Sequence, residues 1–287
     1  MADDLTVVRM AGGGETGWVR RRWCVWMAVG LVILGAVLNT IYLFNHSPLD
    51  LSEDEASYWL WSEHLDYGYY SKPPGIAWVI WGTLRAGAAL GLNGDGSGAA
   101  LMPVMRMAAV VFGVGSGLLS LFLARRIFRD DRAALGVIVL SAAVPMFAVG
   151  SLLITIDSPM YLCWAATVFC LWRAVEGAGG RCRGAKWMYA AGLCAAAGML
   201  FKPVLIALPA CVLIAACIDR KGGAMRRAFL SPHALTALII MLCSQIPVIL
   251  WNSRHGWVMF KHIGTQGFGG GARKNFAQQF LLDPLSR

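Results

Sequence analysis

Apolar residues along this chain come in long blocks, with polar residues confined to the stretches between them. The blocks lie near 23–44, 74–92, 102–124, 133–153, 159–175, 187–201, 203–218 and 234–251. A block of about 20 apolar residues, coiled as a helix, matches the roughly 30 Å hydrocarbon core of a bilayer. The pattern predicts an all-α polytopic membrane protein, and the question becomes which blocks cross.

Composition agrees with that class. Hydrophobic residues make up 57% of the 287 and charged residues 14%, whereas soluble domains carry about 25% charged residues for their polar shell. The net charge of +9 follows from Lys and Arg loading the cytoplasmic loops of a membrane protein, so no nucleic-acid partner is expected. Seven of the eight cysteines fall in apolar stretches and Cys182 in a basic loop, and no C-x-x-C occurs. Small buried hydrophobes are expected rather than a disulfide framework or a zinc ribbon.

Charge then decides the topology. The basic clusters are Arg9 with Arg20–Arg22; Arg125, Arg126, Arg129 and Arg132; Arg173, Arg181, Arg183 and Lys186; and Arg220, Lys221, Arg226 and Arg227. All share one side only if 74–92 does not cross. Trp78, Trp81 and Arg85 suit an interfacial helix there. About seven spans remain. The expected layout is a cytoplasmic tail at 1–22, a transmembrane region at 23–251 and an extracytoplasmic segment at 252–287, in the bacterial inner membrane. The run after Arg20–Arg22 is too long for a cleaved signal and reads as the first span. The outer loops are 45–101, 154–158, a turn near 202 and 252–287. Lys202-Pro203 is the outer turn of a hairpin over 187–218, with one long span as the alternative. The glycine-rich stretch from Gly264 to Gly271 reads as a mobile tail.

Candidate chemistry concentrates in the first outer loop. Residues 50–66 carry Asp50, Glu53, Asp54, Glu55, Glu63 and Asp66, with no Lys or Arg among them. Ser52 and Glu55 have the spacing of a capping box, which starts a helix at Glu53. Adjacent Asp54 and Glu55 then point about 100° apart and do not form a shared-proton pair. The aromatic residues Tyr58, Trp59, Trp61, Tyr67, Tyr69 and Tyr70 follow, and then Lys72-Pro73-Pro74. One reading is a surface helix with a snorkelling anchor. The other is chemical: transfer of a sugar from a lipid phosphate needs a base for the acceptor hydroxyl and a cation for the departing phosphate. One carboxylate and one cation at the bilayer surface form the minimal set.

Asp54–Ser62 (D-E-A-S-Y-W-L-W-S) and Gly68–Trp78 (G-Y-Y-S-K-P-P-G-I-A-W) resemble the bacterial branch of the dolichyl-phosphate-mannose–protein mannosyltransferase family, glycosyltransferase family 39. The lipid A aminoarabinose transferases are relatives. Further matches follow in order: Arg106 and A-R-R-I-F (124–128), T-I-D-S-P (155–159), Gly198 to Pro203, and P-V-I-L-W-N-S-R-H-G-W (247–257). The resemblance implies a GT-C-like helical bundle with juxtamembrane helices in the first outer loop. It implies an inverting transfer from a polyprenyl-phosphate-linked sugar to a protein, lipid or glycan acceptor. Asp54 matches the catalytic acid, Asp157 a second acid and Lys72 the residue holding the lipid phosphate. Glu55, Tyr70, Arg106, Lys202, His255 and His262 are the further substrate-contact candidates. Each has a plainer reading: Asp157 as a helix cap, Lys202 as a turn residue, Arg106 in a structural ion pair. Ser71 stands where some relatives place a metal-binding acid, so no metal or other cofactor is expected. Family members carry later spans and a further outer domain, so a truncated, non-catalytic remnant is the alternative to an enzyme. A transporter-like bundle is a second alternative, with neither mid-membrane charges nor related halves to favour it.

Overall fold

The computed structural model describes residues 21–45, 50–178, 183–219 and 223–268, and every regular element among them is helical. Residues 1–20 of the expected tail at 1–22, and Cys182, lie outside the described residues. In chain order the helices are α1 (Arg22–Asn45), α2 (Glu53–Glu63), α3 (Gly75–Ala89), α4 (Gly98–Phe128), α5 (Asp131–Ala143), α6 (Pro145–Gly150), α7 (Asp157–Glu176) and α8 (Arg183–Met199). A 3-10 turn (Pro203–Ala207) leads into α9 (Leu208–Ile218), and α10 (Ala224–Phe229), α11 (Pro232–Cys243), α12 (Ile246–Arg254) and α13 (Val258–Phe268) complete the chain.

Long-range contacts sort these elements between two ends. At one end the Arg21 amide donates to Asp131 at 2.8 Å, and Arg125 pairs with the same carboxylate. Arg126 and Arg173 both reach Glu176 there, and Ala174, Met188 and Ala228 share a core that draws α10 in beside them. Contacts of the opposite end include Asn39 with Ser151, Arg106 with Glu55, and Lys202 with Asp157. Thus α1, α5–α6, α8 and α11–α12 lead from the basic end, while α4, α7 and α9 lead back. The basic residues of α4, α7 and α10 therefore gather opposite Asp54 and Asp157, as the charge argument requires.

Among the described residues, three helical stretches are long and apolar enough to cross a membrane by length and composition: Arg22–Asn45, Ala100–Phe128 within α4, and Pro232–Arg254 across α11 and α12. Their large exposed side chains, such as Trp26, Leu38, Val111 and Leu235, face where lipid would lie rather than water. The apolar blocks are not all single straight helices. The block 133–153 breaks at Val144 before Pro145, whose ring cannot continue the preceding helix. The block 203–218 opens as a 3-10 turn behind Pro203. The 187–218 hairpin does turn at Leu200–Lys202, where the Lys202 amide bonds back to Gly198.

α3 lies across the site end instead of running down the bundle. Its first residue, Gly75, donates to Leu200 O at 2.9 Å. Near its far end a Cβ on Gly87 would meet Val104 of α4. Ile76 and Ile80 pack with Met105, Ala108 and Ala109 of α4 and with Tyr58 of α2. α2 and α3 therefore form a cap on the outer turns of α4. The mobile-tail reading fails over Gly264–Phe268, which is helical as part of α13.

Candidate active site at one end of the bundle

The site is built on a buried ion pair. Ser52 caps α2, and its side chain and Glu55 satisfy each other's backbone donors, as the spacing predicts. Glu55 does more than cap. It takes Arg106 Nε on Oε1 at 2.9 Å and Arg106 Nη2 on Oε2 at 2.8 Å. It also accepts the Ile154 amide at 3.1 Å, and Arg106 reaches on to Asp50 O. Burial pushes the Glu55 carboxyl up, but the Arg106 bonds and the Ser52 and Ile154 amides outweigh it and hold it below its ordinary value. With 0% and 1% of their surface exposed, Glu55 and Arg106 are spent on each other. Both were expected among the substrate contacts, and in this structure both side chains are buried in the pair. Their work is to fix α2 to α4 and to the turn before α7.

That anchorage sets Asp54. One residue before Glu55 and about 100° around the helix, its carboxylate is exposed. One turn on, Tyr58 is 2% exposed and packs with Ile154 and Ile156, the residues leading into Asp157. Burial pushes the Tyr58 phenol well above its ordinary value, and the carboxylates of Asp54 and Asp157 push it further. Both acids therefore lie near one hydroxyl, although 103 positions separate them. Tyr58 escaped the sequence reading, where it was one aromatic among six.

Asp157 is the first residue of α7, and Ile156 before it makes no side-chain cap. Its carboxylate instead accepts from Lys202 Nζ at 2.8 Å, with 39% and 42% of the two side chains exposed. The cap reading is thus replaced by an ion pair open to solvent. The turn carrying Lys72 is tied to the same end, because Gly75 donates to Leu200 O two residues before Lys202. Tyr69 N bonds Lys72 O at 3.1 Å to close a tight turn. Gly75, three residues on, docks on Leu200 so closely that a Cβ would sit 2.7 Å from the Leu200 carbonyl. Lys72 is half-buried and forms no ion pair among the described residues. A cation without a carboxylate partner is free to meet an anion brought by a substrate.

The C-terminal block closes over the same loop. Trp251 donates its indole N–H to Asp66 at 2.7 Å. Its ring lies against Gly68, where a Cβ would come within 2.7 Å, and His255 stacks on it at 4.1 Å. His255 Nδ1 bonds Trp251 O, so the expected substrate contact at His255 is engaged in holding this indole. Asn252, buried, bonds Val248 O and the Met259 amide. Gly256 and Trp257 both have left-handed φ, 66° and 61°, and the Trp257 amide returns to Asn252 O at 2.8 Å. The block W-N-x-x-H-G-W is therefore a strap that turns the chain from α12 to α13 over the first loop. α13 brings His262 to within 4.8 Å of the Tyr70 ring, leaving both expected contacts together beside the Lys72 turn.

An all-helical membrane bundle with carboxylates and amines gathered at one end is the class that fold and site define. The family model described as dolichyl-phosphate-mannose-protein mannosyltransferase matches residues 71–251, and the chain belongs to that family. It is 54% identical over 50 residues to a lipid A galacturonosyltransferase of Rhizobium johnstonii, covering 17% of this chain and 11% of that protein. It is 31% identical over 159 residues to an undecaprenyl phosphate-alpha-4-amino-4-deoxy-L-arabinose arabinosyl transferase of Pseudomonas aeruginosa, covering 53% of this chain and 27% of that protein. The chain thus spans about a quarter or less of the length of these curated relatives. No solved structure matches it.

Proposed function

We propose that this chain carries the catalytic end of an integral-membrane glycosyltransferase that moves a sugar from a polyprenyl-phosphate donor to an acceptor hydroxyl, with inversion. Asp54 removes the acceptor's proton as its oxygen attacks the anomeric carbon. The bond from that carbon to the phosphate oxygen breaks, and the phosphate leaves as an anion against Lys72, with Lys202 at hand. Asp157 holds Lys202 in place, and Tyr70 and His262 line the approach. The reaction faces the periplasmic side of the inner membrane. The observation carrying the reading is the convergence of an exposed carboxylate, a carboxylate–amine pair and an unpaired amine on one end of the bundle, opposite the basic clusters. Lipid A is the first acceptor to try, since the Rhizobium relative is named for it.

The test uses the full chain in detergent with a radiolabelled polyprenyl-phosphate sugar. Donor binding and transfer are expected. Asp54→Asn should lose transfer by about a hundredfold or more while still binding donor, and Lys72→Gln should weaken donor binding. A wild-type chain that neither binds nor transfers, or an Asp54→Asn chain of full activity, overturns the proposal.

A further inference from the structure

Two tyrosines of the first outer loop are buried, and their hydroxyls fare differently. Tyr69 Oη lies 3.0 Å from Trp61 O and 3.1 Å from His64 O, and it accepts the Asp66 amide. Tyr58, 2% exposed, makes no hydrogen bond to a described residue. The polar side-chain atoms sealed without a partner among the described residues are Trp59 Nε1, Asn93 Oδ1, Ser116 Oγ and Arg173 Nε. The Tyr58 hydroxyl is not one of them, so this partnerless group reaches the surface.

The ring behind it is fixed. Ile76, Ile80 and Met105 share its core on one side, and Ile154 and Ile156 on the other. Trp61, one turn on, lies with its centroid 5.4 Å away. Asp54 is four residues earlier and shares a face of α2 with it, while Ile156 leads directly into Asp157. The hydroxyl therefore opens between the two acids. Burial, and after it the carboxylates of Asp54 and Asp157, keep the proton on the phenol.

A protonated phenol is a donor. Beside it is an acceptor: Asp157 Oδ1 takes Lys202 Nζ, and Oδ2 has no partner among the described residues. A donor and an acceptor side by side fit a group that accepts and donates at once, which an alcohol does. An ammonium has no lone pair for the phenol. An anion has no proton for Asp157, and it would face Asp54, which makes no ion pair among the described residues. The attacking oxygen of the acceptor does not suit either, because its lone pair is needed at the anomeric carbon and its proton goes to Asp54. What remains is an alcohol of the sugar being transferred.

We propose that Tyr58 is a sugar-binding residue, its phenol donating to a hydroxyl oxygen of the sugar in transit while that hydroxyl donates to Asp157. The inference rests on the glycosyltransferase reading and adds a requirement to it. The sugar presents a neutral hydroxyl at this point, and any charged substituent lies elsewhere on its ring.

The test measures binding of undecaprenyl phosphate mannose, galacturonate and 4-amino-4-deoxy-arabinose to the full chain in detergent, and then of every monodeoxy analogue of the sugar bound most tightly. One analogue should bind the wild-type chain about tenfold or more weakly, since it leaves Tyr58 and Asp157 without their partner. Tyr58→Phe keeps the ring and its packing and should weaken the parent donor about tenfold. On moving to that one analogue the variant should lose much less than the wild type does. A purely structural phenol would instead leave the penalty of each analogue the same in both chains. A wild-type chain that binds every monodeoxy analogue as well as the parent overturns the proposal by itself, even if the variant fails to fold. So does a folded Tyr58→Phe chain that binds the parent undiminished, or one that loses as much as the wild type on every analogue. In each of these cases a donor still binds and the glycosyltransferase reading stands. A wild-type chain that binds none of these donors takes that reading down, and this inference with it.

Discussion

Glu55 closes the cap of α2 through Ser52 and holds Arg106 of α4 in a buried pair. Ser52 three positions away made its capping role plain. Nothing local announced Arg106, 51 positions on, because pairing at that distance depends on how α2 lands on α4. Removing one partner of a buried pair leaves an uncompensated charge and costs about 3–5 kcal/mol. Arg106→Met should therefore lower the thermal unfolding temperature in detergent by several degrees or more, and Glu55→Leu combined with it should recover much of the loss. The Glu55 carboxyl also predicts a pH dependence. Its folded value lies below the ordinary 4.5, so its contribution is full above about pH 4.5 and fades as acidity carries the pH through the lowered value. Unfolding followed from pH 6 downward should steepen below pH 4.5 in the wild-type chain, and Glu55→Gln should remove that component.

Elements, unlike pairs, were largely legible. The start of α2 and the turn at Lys202 followed from caps, charge and prolines. The break within 133–153 had Pro145 to mark it, but the gap between α11 and α12 within 234–251 was hidden because apolar composition is the same on both sides. The helix through Gly264–Phe268 was hidden by its glycines, which lower helix propensity without forbidding a helix. The strap was legible as a motif but not as a machine, since Trp251 meets Asp66 185 positions away. Its geometry makes two glycines strict. Gly75→Ala sets a Cβ 2.7 Å from a backbone carbonyl, and Gly68→Ala sets one 2.7 Å from the Trp251 ring. Each should cost about 1–3 kcal/mol, as overpacking does. Because each moves the turn carrying Lys72, donor KM should rise more than the unfolding temperature falls. A milder change, Trp251→Phe, keeps a ring over Gly68 but drops the bond to Asp66. It should cost about 1 kcal/mol and expose the loop at 64–70 to limited proteolysis.

At the scale of the whole molecule, the proposed chemistry depends on which end of the bundle faces which compartment. A base at Asp54 and an anion-binding amine at Lys72 are useful together only if both meet a donor lipid from the same side. The bundle meets that condition internally: α2 is tied to α4 by Glu55 and Arg106, and the Lys72 turn is tied to α8 through Gly75 and Leu200. The basic residues of α4, α7 and α10 are gathered at the other end, which the proposed orientation assigns to the cytosol by the bias of cytoplasmic loops toward Lys and Arg. Single cysteines can read this out once the eight native ones are replaced. Glu53→Cys and Ser71→Cys flank the site residues without removing them, while Arg129→Cys and Arg132→Cys mark exposed positions of the basic end. A membrane-impermeant maleimide applied outside a permeabilised outer membrane should label the first two and leave the second two untouched until the inner membrane is opened. The reverse pattern would put Asp54 and Lys72 in the cytosol and take the periplasmic reaction with it. Labelling of one site position without the other would break the convergence on which the chemistry rests.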